Sequence, residues 1–292
     1  MKMKYLIAVS GGPDSMFLLN KYKNKNIVVC HVNYNQRYDS HTDQKIVEEF
    51  CNKHNIPLFI LNLDKNDYVQ GNFQNWARIK RYDFFEKIYK QERCNTLLIA
   101  HQKDDFIETV LMQKESKRKP LYLGIAKNNT LNQMNIKRPL LFKYFKNTII
   151  KKCRKNNIPF HIDYTNNQDK YQRNIIRHNL EKNSNFIQKN LIIWKYRILN
   201  IFSQFKIQKI KKEYKKWRKS NFSQDLFKAL KNKENLIFHF INVNFNDVKL
   251  SKNKINSIID FILSHQRTSV FKLNDNSELH KKKGLLIIKS KI

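Results

Sequence analysis

The first 180 or so residues predict an α/β protein built on a parallel sheet, and the rest of the chain predicts a smaller, mainly helical α+β domain. Three observations carry this. Short apolar runs alternate with stretches of helical apolar spacing through the first hundred residues. Polar residues suited to chemistry collect directly after those runs. Beyond about residue 185 the alternation gives way to a long lysine-rich helical pattern and then two short strands. Strands alternating with helices imply parallel strands joined by right-handed crossovers, helices on both faces, and ligands at the carboxyl ends of the strands.

The first run, Tyr5-Leu6-Ile7-Ala8-Val9, is short and apolar enough for a buried strand. It leads into Ser10-Gly11-Gly12-Pro13-Asp14-Ser15, and a helical pattern follows through Met16, Phe17 and Leu19. Strand, glycine loop and helix together make a phosphate cradle. Paired glycines let backbone N–H groups approach an anion, the helix start adds unpaired N–H groups and a positive dipole end, and Ser10 and Ser15 offer hydroxyls. The loop has neither the lysine of GxxxxGK[ST] nor the third glycine of GxGxxG.

Ile27-Val28-Val29-Cys30-His31-Val32-Asn33 reads as the second strand, residues 40–54 as a helix, 57–63 as the third strand, 72–93 as a long helix and 96–100 as the fourth strand. His101 closes that strand just before Asp104, Asp105 and Glu108. With a helix beginning near Gln102 or Lys103, Asp105 and Glu108 are three residues apart and share a face, with His101 at its start. Such a group can hold a divalent metal, bind an amine or accept protons from one. A helix start also favours acids through its dipole alone, so both readings stand at this point.

Lys and Arg total 57 against 24 Asp and Glu, a net charge of +33. Such an excess repels itself in a compact fold and suits a polyanionic partner, with nucleic acid foremost. A chain rich in Lys, Asn and Ile also carries lysine through compositional bias alone. At 292 residues there is room for two domains, and no apolar stretch reaches the length of a membrane span. The N-terminus does not read as a signal peptide, so a cytoplasmic enzyme is expected. Cys30, Cys51, Cys94 and Cys153 form no CxxC pair and read as buried thiols rather than metal or disulfide sites.

Residues 190–230 have helical spacing dense in Lys206, Lys209, Lys211, Lys212, Lys215, Lys216, Arg218 and Lys219, interleaved with Phe205, Tyr214 and Trp217. One reading is a basic aromatic surface for RNA; the other is an amphipathic connecting helix whose aromatics face a core. A helix over 251–265 follows, then strands at 270–273 and 285–288 with turn chemistry at Asn274-Asp275-Asn276-Ser277. Monomer and homodimer both remain open, since no apolar helix face marks a dimer in the sequence.

The Ser10–Ser15 hexapeptide resembles the SGGxDS loop of the PP-loop ATP pyrophosphatases, whose fold is the adenine nucleotide α-hydrolase type. Ala100-His101-Gln102-Lys103-Asp104-Asp105-Phe106-Ile107-Glu108-Thr109 resembles the AHxxDDxxET segment of the tRNA(Ile)-lysidine synthetases, and residues 31–37 resemble their HVNHxLR segment, with Tyr34 where the second histidine usually stands. Ala77-Arg78-Ile79-Lys80-Arg81-Tyr82 is similar to ARxxRY and Arg138-Pro139-Leu140-Leu141 to RPLL. Asp163-Tyr164-Thr165-Asn166 is similar to DxTN and Arg173-Asn174-Ile175-Ile176-Arg177 to RNxIR. These segments follow the family order.

The resemblance implies an ATP-dependent ligase that joins L-lysine to the wobble cytidine of a tRNA(Ile) with a CAU anticodon. It implies a PP-loop catalytic domain over residues 1–184, a basic helical linker over 185–220 and a small tRNA-binding domain over 221–292. ATP would meet Ser10, Gly11, Gly12, Pro13, Asp14 and Ser15, with Asp14 and Asp105 as Mg2+ contacts. Asp14, His101, Asp105 and Glu108 would be catalytic, and Asp105, Glu108 and Arg81 would bind lysine. Arg78, Arg173, Asn174, Arg177, Lys212 and Lys216 would contact tRNA or phosphate. A tRNA cytidine thiolase and a non-catalytic RNA-binding protein with a relic loop are the alternatives, the first disfavoured by the missing CxxC.

Overall fold

The computed structural model describes residues 3–36, 39–68, 70–116, 120–162, 176, 180, 185–245, 248 and 250–290. The chain forms two compact units, Met1–Ile198 and Leu199–Ile292.

The first unit is an α/β layer structure. Strands β1 (Tyr5–Ala8), β2 (Ile27–Asn33), β3 (Leu58–Asn62), β4 (Thr96–Leu98), β5 (Asn128–Leu131) and β6 (Met134–Lys137) form one sheet in the order β3-β2-β1-β4-β6-β5. All neighbours pair in parallel except the β5–β6 edge hairpin. Among the described residues its helices are α1 (Pro13–Tyr22), α2 (Ser40–Lys53), α3 (Phe73–Gln91), α4 (Lys103–Glu115) and α5 (Lys146–Lys155). Side chains alternate across a strand, so β1 feeds two cores. Ile7 joins Met16, Leu19, Val47 and Ile149 in one, and Leu6 joins Tyr82, Phe85 and Ile136 in the other.

The β5–β6 hairpin was not foreseen. Its turn is Asn132-Gln133, both with positive φ (47° and 59°), the backbone of a two-residue hairpin turn without glycine. Edge strand β5 is mostly polar, and β6 alternates buried Met134 and Ile136 with exposed Asn135 and Lys137 over only four residues, too short a run to stand out as a strand.

Helix α6 (Phe186–Lys219) begins in the first unit and ends in the second. It replaces the continuous helical stretch expected over 190–230 and stops where Asn221 and Phe222 take positive φ (52° and 54°). Its first turns expose Phe186, Ile187, Leu191 and Trp194, each more than 60% accessible. This is an apolar face that the sequence reading did not identify.

The second unit holds the rest of α6, then α7 (Gln224–Ala229), α8 (Lys233–Asn244), α9 (Lys252–Leu263) and a three-stranded antiparallel sheet. Its strands are β7 (Ser269–Lys272), β8 (Ser277–Lys282) and β9 (Leu285–Ser290). Two strands were expected; β8, with Glu278, His280, Lys281 and Lys282 among its residues, carries too little apolar signal to be read. Trp217 is fully buried against Phe222, Phe227 and Phe240, and its indole N–H donates to the Ser223 carbonyl at 2.9 Å. Tyr214 is buried beside Phe222 and His239. These two aromatics are therefore core, and the basic aromatic surface reduces to exposed lysines with Phe205.

Candidate active site

Parallel pairing brings the chemistry together. Strands β1 and β4 are neighbours with Ile7 opposite Leu98, so the chain leaving β1 at Val9 and the chain leaving β4 at Ile99 emerge side by side at one sheet end. The first carries Ser10–Ser15 and the second carries His101 through Glu108.

Helix α1 starts with glycine at its N-cap and proline at its first position, so no side chain caps its leading N–H groups. Those groups and the helix dipole face the end of the strand, as anion sites do. Gly11 has φ +84°, and a Cβ there would lie 2.8 Å from Asp43 Cβ and 2.9 Å from Asp43 Cα and carbonyl oxygen. Only glycine fits against α2. Gly12 is extended (φ −75°), with its nearest neighbour Ser10 Oγ at 3.6 Å from a built Cβ, so the protein itself does not require glycine there.

Ser15 is buried and knits the loop: its hydroxyl donates to the Gly12 carbonyl at 2.9 Å and accepts the Ser10 N–H at 3.1 Å. Its one proton being used, the exposed Ser10 hydroxyl is the donor in the 3.2 Å contact between them. A second brace was not foreseen. The His161 N–H donates to the Gly11 carbonyl at 3.1 Å, while its ring sits 3.2 Å from Asp43 and 3.5 Å from Asp39. The Cys153 thiol lies 3.6 Å from the Pro13 carbonyl, and burial with the Asp14 charge pushes that thiol up to about 11.

At the end of β2, buried His31 donates from Nδ1 to the Val9 carbonyl at 3.0 Å. That bond puts a proton on Nδ1, and burial, outweighing it, holds the imidazole below its usual range. Asn33 accepts the Asn35 N–H at 2.9 Å, curling the loop. Tyr34 donates to the Ala77 carbonyl at 3.1 Å and so ties that loop to α3. On α3, the guanidinium groups of Arg78 and Arg81 lie 4.9 and 5.8 Å from the ring of buried Tyr82.

The acids of α4 divide by task. Asp104 accepts the Lys146 N–H at 2.9 Å and pairs with Lys189 at 3.2 Å, which ties α4 to the starts of α5 and α6. Asp105 Oδ2 accepts the Gln102 N–H at 2.8 Å, while Gln102 Oε1 accepts the Asp104 N–H at 2.7 Å. Asp105 is thus half of a capping box. Its carboxylate is oriented by the helix it starts, a role expected of any acid there as well as a way of aiming it. Glu108, one turn on, is completely buried. A buried carboxylate needs partners, and a cationic one suits it best. Gly124 (φ +77°) packs on α4: a Cβ there would sit 2.5 Å from the Phe106 ring.

Among the described residues no three His, Cys, Asp or Glu side chains gather as a metal site. Arg173, Asn174, Arg177 and the segment Asp163–Asn166 lie outside the described residues. Lys212 and Lys216 are exposed on the part of α6 within the second unit. Among the described residues no helix is long and apolar enough to cross a membrane.

The PP-loop domain family matches residues 1–184. The chain is 49% identical to the tRNA(Ile)-lysidine synthase of Mycoplasmopsis pulmonis, covering 98% of this chain and 99% of that one. It is 44% identical to the tRNA(Ile)-lysidine synthase of Mesomycoplasma hyopneumoniae, covering 99% and 97% respectively. Among solved structures, the U34-tRNA thiolase NcsA from Methanococcus maripaludis with its [4Fe-4S] cluster matches with a TM-score of 0.53 over 68% of this chain and 72% of that one. At 21% identity that likeness is one of fold. With a glycine loop and acidic helix set side by side by a parallel sheet, and likeness end to end at this level, the chain belongs to the tRNA(Ile)-lysidine synthase family.

Proposed function

We propose that this chain uses ATP to join L-lysine to C2 of the wobble cytidine of a tRNA(Ile) with a CAU anticodon, releasing AMP and pyrophosphate. What carries the reading, in a chain of this family, is one juxtaposition: an anion-binding loop and a pair of acids on the segments that follow two adjacent parallel strands. The cytosine C2 oxygen is a poor leaving group. Its attack on the α-phosphate of ATP displaces pyrophosphate and leaves an adenylate. The neutral ε-amine of lysine then forms a bond to C2, the C2–O bond breaks, and AMP departs with the oxygen.

In this reading Ser10, Gly11, Gly12, Pro13 and the first turn of α1 bind the phosphates, and Ser15 holds the loop in shape. Asp14 and Asp105 are hard oxygen donors on neighbouring segments and fit Mg2+, which binds through one or two carboxylates plus substrate phosphates and would offset phosphate charge. Asp105 and Glu108 receive the ammonium of lysine and take its proton, an anionic pocket in a chain of net charge +33. Arg81 faces the lysine carboxylate, and His101 supports the activated base. Arg78, Arg173, Asn174, Arg177, Lys212 and Lys216 contact tRNA or phosphate. Residues 1–184 act as the catalytic domain, 185–220 as a basic linker and 221–292 as a tRNA-binding domain, in the cytoplasm.

A thiolase is disfavoured by its own chemistry. All four cysteines are buried, and burial raises each thiol above its usual range, the reverse of what a thiolate relay needs. Labelled lysine incorporated into unmodified tRNA(Ile) with a CAU anticodon, dependent on ATP and abolished by Asp105→Ala and Glu108→Ala, is the expected result. ATP consumption and tRNA binding without lysine incorporation would overturn the reading.

A further inference from the structure

Arg138 follows β6 directly, and β6 pairs with β4 through Leu98 and Lys137, so Arg138 and His101 leave neighbouring strands at the same sheet end. Arg138 is buried, only 7% exposed. Its Nε donates to His101 Nδ1 at 2.9 Å. Its Nη1 donates to the Ala126 carbonyl at 2.8 Å and to the Asn129 side-chain oxygen. Its own N–H donates to the Lys127 carbonyl at 2.9 Å. Backbone and guanidinium are therefore both held, and the direction of the Nε–H is set.

A guanidinium has donors and no acceptor. Burial pulls Arg138 below its usual value, yet arginine stays protonated in proteins. Nδ1 of His101 must then present its lone pair, and the single ring proton must be on Nε2.

We propose that Arg138 is a positioning residue that locks His101 as the neutral Nε2–H tautomer, so that His101 acts in lysine transfer as a hydrogen-bond donor and not as the base. Resting on the proposed function above, this deepens it. With Nδ1 occupied and Nε2 already protonated, the ring has no site to accept the ammonium proton of lysine. The group the ring can offer the reaction is therefore a donor, Nε2–H, suited to an oxygen of the adenylated base. A neutral imidazole held as an electrophilic donor is a known catalytic solution, and a fixed donor costs no reorganisation during the reaction.

The test begins with the wild-type protein alone, 15N-labelled at histidine. Long-range proton–nitrogen spectra near neutral pH should show His101 with unprotonated Nδ1 and protonated Nε2, the signal being assigned by its disappearance in His101→Gln. A proton on Nδ1, or a doubly protonated ring, would overturn the proposal without any variant of Arg138. The second arm is a cycle. Arg138→Met should lower kcat for lysine transfer by about 100-fold, the scale of losing one fixed donor, and leave tRNA affinity unchanged. It should add little in the His101→Gln background. Arg138→Lys, which keeps a cationic donor, should recover part of both the tautomer signal and kcat. A full and equal loss from Arg138→Met in the His101→Gln background would show that Arg138 does not act through His101. The spectrum needs neither tRNA nor lysine, so an enzyme that fails to incorporate lysine would sink the functional reading while leaving the tautomer to be judged by itself.

Discussion

Replacing Gly11 by alanine tests the loop most sharply, because two separate penalties can be worked from its geometry. An L-residue at φ +84° occupies the left-handed region, at roughly 1–2 kcal/mol. The new Cβ would also stand 2.8–2.9 Å from Asp43 Cβ, Cα and carbonyl oxygen, mostly backbone of α2 that cannot swing away. Overpacking of that kind costs about 1–3 kcal/mol. The sum, about 2–5 kcal/mol, is released either by global destabilisation or by the loop leaving its place. If the loop leaves, its competent state is depopulated by about 30-fold to several thousand-fold, at tenfold per 1.4 kcal/mol. Urea unfolding and ATP-dependent lysine incorporation, measured together, read both routes. Gly12→Ala is the control: its Cβ meets nothing closer than 3.6 Å, so stability should change by less than about 0.5 kcal/mol. Activity should still fall, since the methyl group would stand where backbone and phosphate meet. Gly11→Ala with wild-type stability and an unchanged KM for ATP would refute this reading of the loop.

Asp105→Asn should keep the fold, because the amide oxygen can still accept the Gln102 N–H. Its KM for lysine should rise at least tenfold, whereas Asp105→Ala should also lose about 1 kcal/mol through the cap. Lys212→Ala with Lys216→Ala should weaken tRNA binding and lessen the slope of log K against log salt by about 2, provided each neutralises one phosphate. The four buried thiols should resist a disulfide reagent at neutral pH until the chain is unfolded. Cys94 and Cys153 stay protonated in the fold up to about pH 11, while their unfolded thiols ionise from about 9, so the stability they give is present below pH 9 and lost as pH rises toward 11. His31 has the opposite sign: it is neutral in the fold, so as pH falls below 6.5 the unfolded chain binds the extra proton and the urea midpoint should drop.

How much of this was legible depended on the range of the interaction. Tyr5 through Ser15 was read as strand, loop and helix because local signals agree there, and the sheet order put His101 beside that loop without side-chain detail. What the sequence hid is long-range. The His161 brace on Gly11 joins residues 150 apart, and Arg138 reaches His101 across 37 residues, with no spacing rule to announce either. Asp105 was read as a site acid, yet it also caps α4, a duty that residue type alone cannot separate from catalysis. For Tyr214 and Trp217 the sequence allowed both an RNA-facing surface and a core-facing helix, and burial decides for the core. The apolar face at the start of α6 went unread because Phe186 and Ile187 lie ahead of the helical stretch read over 190–230. Strand β8 was missed because cross-strand pairing with β7 and β9, not hydrophobic alternation, defines it.

The most direct measurement is to supply ATP labelled in its α-phosphate, together with unmodified tRNA(Ile) bearing a CAU anticodon, first without lysine and then with it. Ligation through an adenylate predicts label retained on the tRNA in the absence of lysine. Adding lysine should then release labelled AMP in equal amount to the lysine gained by the tRNA. Label that never reaches the tRNA, or that leaves it without lysine being gained, would contradict the proposed reaction.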